Sequence, residues 1–167
     1  MAIRNGRPSM TVKPKSNPRM PPSWFIHVAW AVLRALVRVS GGRLGIWNPK
    51  GRKWGTLRLK TIGRRSGRER VAILGYYEDG PNLVTLAMNG WQPSEPAWWL
   101  NLQEHPETTI ELAGGPRQVR ARAAHGDERT RLWAMFRGTS DELDALATRR
   151  PSETAVVILE PIDRPVQ

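Results

Sequence analysis

The sequence predicts an α+β fold built around a small antiparallel barrel of about six strands. Three observations carry that prediction. From Gly55 onward, apolar and polar residues alternate with period two in several short runs. Turn residues rich in glycine, proline and asparagine separate these runs at short intervals. Helical patterns are confined to the ends of the chain and to the connections. At 167 residues, 40% hydrophobic and 25% charged, the chain supports one core with tails rather than two domains.

The elements follow in order. Residues 1–22 hold Pro8, Pro14, Pro18, Pro21 and Pro22 among basic residues, a composition that cannot bury enough apolar surface to order itself, so it reads as a flexible basic arm. Ser23 is a plausible N-cap for an apolar helix over residues 23–40, whose polar side chains before Ser40 are His27, Arg34 and Arg38, within roughly 40° of one another on a helical wheel. This helix is too short to span a membrane, which takes roughly 20 apolar residues, and two arginines interrupt it. The arginines, and the lack of a cleavage pattern, also argue against a signal peptide. Packing on the core and lying on a membrane surface stay open. Gly41-Gly42 ends the helix, and residues 41–167 form the barrel domain.

In the barrel domain, Leu57, Leu59 and Thr61 alternate with Arg58 and Lys60, a half-buried strand. Gly63 to Gly67 is a turn, Val71 to Tyr77 a second strand, Asp79-Gly80-Pro81-Asn82 another turn, and Leu83 to Met88 a third strand. After the loop from Gly90 to Pro96, a short helix runs through Gln103 with Pro96 in its first turn. Thr108 to Leu112 and Gln118 to Ala124 form a hairpin around Gly114-Gly115-Pro116. Asp127 is placed to cap a helix to Arg137, a second short helix spans Asp141 to Thr148, and the apolar run within Thr154 to Glu160 is the last strand.

Charge narrows the function. Residues 1–68 carry 16 Lys and Arg and no acid, while the rest sums to −5, so the positive field belongs to the front of the chain. Such asymmetry fits an anionic partner: phospholipid, nucleic acid or a phosphorylated cofactor. With no cysteine there is no disulfide framework, thiolate chemistry or cysteine-held metal cluster. His27, His105 and His125 have no metal-ligand spacing, so no metal site is expected, and no Walker loop, nucleophile elbow or dinucleotide fingerprint occurs. Nucleic-acid binding is disfavoured, because the eight tryptophans are not interleaved with basic residues on a strand face.

One segment is equipped to bind an anion. Thr61-Ile62-Gly63-Arg64-Arg65-Ser66-Gly67-Arg68-Glu69-Arg70 bends between two strands and gathers arginines, a hydroxyl and backbone N–H groups. Its glycines allow close backbone approach, and guanidinium forks match phosphate oxygens two at a time. A solvated basic turn is the plainer reading of the same residues.

The run Leu59 to Val71 closely resembles the Thr-x-Gly-Arg-Lys/Arg-Ser-Gly-x-x-Arg signature of the deazaflavin-dependent nitroreductase and quinone reductase family. The run Glu95 to Pro106 resembles that family's Pro-x-Trp-aromatic-x-Asn-Leu helix, at the expected distance. The resemblance covers roughly residues 24–161. It implies a split β-barrel that binds coenzyme F-420, an 8-hydroxy-5-deazaflavin with a phosphodiester and polyglutamate tail. By similarity, Arg64, Arg65, Ser66, Gly67 and Arg70 hold the phosphate, Asn101 helps from the helix, Trp98 packs beside the site, and the ring lies near Ala72, Leu74, Ala87 and Met88.

Departures matter as well. Where relatives active on nitroimidazoles offer a serine-lysine pair, this chain has Met88-Asn89-Gly90, and Tyr76 and Tyr77 are its only tyrosines. The resemblance therefore implies an oxidoreductase that passes a hydride to a conjugated acceptor such as a quinone, with Tyr76 as candidate proton donor and Trp133, Met135 and Phe136 either covering an apolar substrate or plugging the barrel. Flavin mononucleotide (FMN) is the alternative cofactor, and a lipid or cofactor carrier on the same barrel the alternative function. The expected setting is the cytoplasm, with the basic arm and apolar helix holding the enzyme peripherally on an anionic membrane surface.

Overall fold

The computed structural model describes residues 46–49, 54–138 and 140–162; the basic arm and the helix expected over residues 23–40 lie outside the described residues. Six strands, β1 (Gly55–Ile62), β2 (Glu69–Asp79), β3 (Asn82–Leu86), β4 (Glu107–Leu112), β5 (Gly115–Ala123) and β6 (Val156–Pro161), close into one antiparallel barrel in the order β1-β2-β3-β6-β5-β4. Among the described residues three α-helices accompany them: α1 (Ala97–Glu104), α2 (Gly126–Arg137) and α3 (Leu143–Ala147). The α+β barrel expected from alternation is the fold observed.

Alternation works because successive side chains of a strand point to opposite faces. Leu57 and Leu59 are fully buried inside the barrel with Leu83, Ile110, Val119, Val157 and Leu159, and Trp99 and Leu102 of α1 close one end of this cluster. A second cluster lies outside the barrel wall, where Val84, Leu86, Val156 and Ile158 pack against Leu132, Trp133 and Phe136 of α2 and Leu143 of α3. Strands β3 and β6 are thus covered on both faces, the physical reason that Ala155 to Leu159 reads as an uninterrupted apolar run. Trp133 and Phe136 belong to this outer layer, and Met135 packs against it.

Several boundaries differ from expectation. β2 runs from Glu69 to Asp79, longer than Val71 to Tyr77, because its register with β1 extends to Ile62 opposite Glu69. β3 stops at Leu86, so Met88 lies in the following connection. β5 begins at Gly115, where an ordinary turn was expected. Asp127 does not cap α2: His125 occupies that position without a side-chain bond, and Asp127 sits in the first turn, where its negative charge still suits the helix N-terminus. Pro96 is the N-cap of α1, its carbonyl accepting the N–H groups of Trp99 and Leu100.

Candidate functional site

The β1–β2 turn is organised around Gly63. Its carbonyl accepts the N–H of Ser66 at 3.0 Å and of Gly67 at 2.7 Å, and its own N–H donates to the carbonyl of Arg68 at 2.9 Å. A Cβ at position 63 would meet Ser66 Oγ at 2.8 Å and the Arg68 carbonyl at 3.2 Å, so the turn closes this tightly only over glycine. Gly67 takes φ 62°, a left-handed conformation that glycine adopts without strain. Closure leaves Arg64, Arg65, Ser66 and Arg68 exposed at the tip, with Arg70 exposed at the base. Among the described residues none of the four arginines has an ion-pair partner.

Helix α1 holds this turn from behind. Asn101 is 4% exposed; its Oδ1 accepts the N–H of Arg64 at 3.1 Å and its Nδ2 donates to Thr61 Oγ1 at 3.1 Å. Both ends of the amide are spent on the protein, so Asn101 positions the turn rather than offering its side chain outward. Thr61, which the sequence places on the inward face of β1 at the head of the anion-binding segment without a site role of its own, is the partner that makes this possible. Arg70 lies directly across the ladder from Thr61 and therefore rises from the same face beside Asn101. Trp98, one turn before Asn101, is half-buried, packs against the interior cluster and meets the Trp99 ring edge-on at 6.3 Å.

The remaining expected site residues are distributed differently. Ala72 pairs with Leu59 and Leu74 with Leu57, so both side chains face the barrel interior; the outward positions on this strand are Val71, Ile73 and Gly75. Ala87 is fully buried in the interior cluster, whereas Met88 is 39% exposed in the β3–α1 connection. Tyr76 is 2% exposed and sits opposite Gly55, six positions along β2 from Arg70 and hence about 20 Å away along the strand. Burial, and then the Glu78 charge, push its phenol above the ordinary tyrosine value, with Arg117 acting the other way. It borders a cavity of about 520 Å³ with Glu78, Leu83, Leu112 and Arg117 at the barrel end opposite the arginine turn. The structure therefore groups Arg64, Arg65, Ser66, Gly67, Arg70, Trp98 and Asn101 on the β1–β2 turn and the α1 helix that braces it, leaves Met88 in the connection between β3 and α1, and puts Tyr76 about 20 Å along β2 from Arg70.

Comparison with known proteins bears on the family and the fold. Residues 33–161 match the family model described as F420H(2)-dependent quinone reductase. The Mycobacterium tuberculosis protein Rv3178 is 35% identical over 106 residues, covering 64% of this chain and 89% of that protein. The F420H(2)-dependent quinone reductase Rv1261c of the same species is 31% identical over 116 residues, covering 65% and 75%. A solved F420-H2 dependent reductase superposes with a TM-score of 0.56 at 23% identity, covering 63% of this chain and 93% of that one, which shows a shared fold.

Proposed function

This chain belongs to the F420H(2)-dependent quinone reductase family, and on that premise we propose that it is an oxidoreductase transferring a hydride from reduced coenzyme F-420 to a quinone. The observation that carries the proposal is the turn of unpaired arginines around Gly63, braced by Asn101. Exposed guanidinium donors clustered beside the Ser66 hydroxyl on one tight turn fit a phosphodiester. Arg64, Arg65, Ser66 and Arg70 would hold that phosphate, and the half-buried Trp98 would wall the site. The bound coenzyme supplies the hydride from its deazaflavin carbon. The quinone gains that hydride and one proton to become a hydroquinone while the coenzyme is oxidised. The chain itself needs only to orient both molecules and exclude water. Solvent is the proton source in this reading, since Tyr76 lies buried at the other barrel end; Tyr76→Phe is expected to leave acceptor reduction unchanged across pH.

The acceptor and its location can be made more specific. Ile62 and Val71 are 44% and 39% exposed and flank the arginine turn on its outward face, an apolar pair inside a basic surface. That combination supports docking on an anionic leaflet, where a lipid-soluble quinone is found. Among the described residues no helix is long and apolar enough to cross a membrane. Fluorescence titration with oxidised F-420 and with FMN, followed by quinone-dependent oxidation of reduced F-420, tests the main reading. The expected result is tight binding of F-420 alone and turnover with quinone. FMN binding would replace the cofactor assignment, and binding without turnover would make the chain a carrier. Salt-sensitive co-sedimentation with anionic but not neutral vesicles tests the membrane reading.

A further inference from the structure

Arg150 is the most deeply buried cation among the described ion pairs, with a side chain 0% exposed, and all but one of its side-chain hydrogen bonds go to the connection between β3 and α1. Its Nη1 donates to the carbonyl of Ala87 at 2.8 Å and to Thr154 Oγ1 at 2.8 Å; its Nε donates to the carbonyl of Gln92 at 3.1 Å. Its Nη2 donates to Glu95 Oε1 at 2.9 Å and to the carbonyl of Ser94 at 3.4 Å, and Ser152 Oγ donates to the same Glu95 oxygen at 2.7 Å. The segment so held turns through the left-handed region: Asn89, Gly90 and Trp91 take φ of 47°, 61° and 64°, which glycine and asparagine accept and the bulky Trp91 side chain disfavours. Asn89 Nδ2 bonds Ser94 across the same loop. Without the guanidinium, the carbonyls of Ala87, Gln92 and Ser94 and the Glu95 carboxylate would lose their common donor, leaving the turn to its own short-range hydrogen bonds.

We propose that Arg150 is a positioning residue for acceptor reduction, holding Met88 and Asn89 in place at the edge of the site while leaving the phosphate-binding turn independent. The independence follows from separate anchors: α1 is fixed by Trp99 and Leu102 in the interior cluster and by Asn101 on Thr61 and Arg64, none of which touches Arg150. The proposal rests on the reductase reading above for its kinetic part only. The test uses full-length Arg150→Met and Arg150→Lys proteins, the second because a single ammonium cannot reproduce the fork and yet keeps the buried charge. Amide exchange of the cofactor-free protein, well below the melting temperature, is expected to accelerate at 88–95 and to stay unchanged at 63–68. In turnover, kcat/KM for a soluble naphthoquinone is expected to fall about 10- to 100-fold, mostly through kcat, with the F-420 dissociation constant shifted less than about threefold. Unchanged exchange at 88–95, or faster exchange with wild-type kcat/KM, overturns the proposal. Should Arg150→Met not fold, Arg150→Lys decides on the same criteria. A wild-type chain that neither binds F-420 nor reduces quinone sinks the reductase reading, and exchange at 88–95 then decides the positioning claim by itself.

Discussion

Two arginine-rich regions of this barrel use the same side chain in opposite ways. On β5 and α2, Arg122 bonds Glu128 and Glu160, Arg131 grips Asp79 through both carboxylate oxygens, and Arg120 meets Glu107. At the β1–β2 turn, Arg64, Arg65, Arg68 and Arg70 crowd one tight bend and, among the described residues, pair with no acid. Paired surface arginines contribute little to stability, a median of about 0–1 kcal/mol, and ask for no further partner. Clustered unpaired cations repel one another, so the turn carries a charge that the described part of the fold does not neutralise, which is the feature the proposed cofactor site uses.

Removing the unpaired charge is the strongest way to break the comparison. Arg64→Ala/Arg65→Ala is expected to weaken F-420 binding about 100-fold or more, since charge-assisted hydrogen bonds contribute about 1.5–3 kcal/mol each. Its melting temperature should match or exceed the wild type, because the substitution relieves repulsion and removes no internal contact. A large loss of stability with unchanged affinity would show that these arginines serve the fold after all.

The next test distorts the turn without changing its charge. Gly63→Ala forces a Cβ to within 2.8 Å of Ser66 Oγ and 3.2 Å of the Arg68 carbonyl, and the carbonyl is backbone that cannot simply rotate away. Overpacking of this kind costs about 1–3 kcal/mol, and an opened turn no longer presents its arginines together, so affinity should drop about tenfold. Wild-type affinity would mean that charge alone, without the shape of the turn, recruits the ligand.

Much of this organisation was readable in the sequence, and the limits have physical causes. The alternation of Leu57, Leu59 and Thr61 with Arg58 and Lys60 fixes which side of β1 faces the core, and the glycines at 63 and 67 mark the turn. On β2 the run Val71-Ala72-Ile73-Leu74 is apolar at every position, so its inward and outward sets cannot be told apart until the register with β1 is known; Ala72 and Leu74 turned out to face inward. The closing pairs β3 with β6 and β1 with β4 are long-range choices that no local pattern encodes. Arg150 was invisible for a related reason. An arginine in a Thr-Arg-Arg-Pro stretch reads as exposed, and only contacts 55 to 63 residues away make it buried. Tyr76 has the chemistry of a proton donor, but its strand buries it about 20 Å from Arg70, a distance that only the length of β2 reveals.

The paired region should respond to acid and not to ligand. Hydrogen bonds from Arg131, the largest influence, hold the Asp79 carboxyl below its ordinary value of 3.8 against the opposing effect of burial, and Arg122 likewise lowers Glu128 from 4.5. A carboxyl depressed in the folded state stabilises the fold above its unfolded value, and that contribution disappears as pH falls through the folded one. Asp79→Asn should therefore melt slightly below the wild type at neutral pH. The gap should begin to close below about pH 4 and vanish once the native carboxyl is protonated. F-420 affinity should stay unchanged throughout, because Asp79 ends β2 at the opposite end from the arginine turn. Melting curves of both proteins from pH 7 downward check the sign. A gap that persists in acid would make the contribution of Asp79 one of packing, and the contrast between the two regions would then rest on the unpaired turn alone.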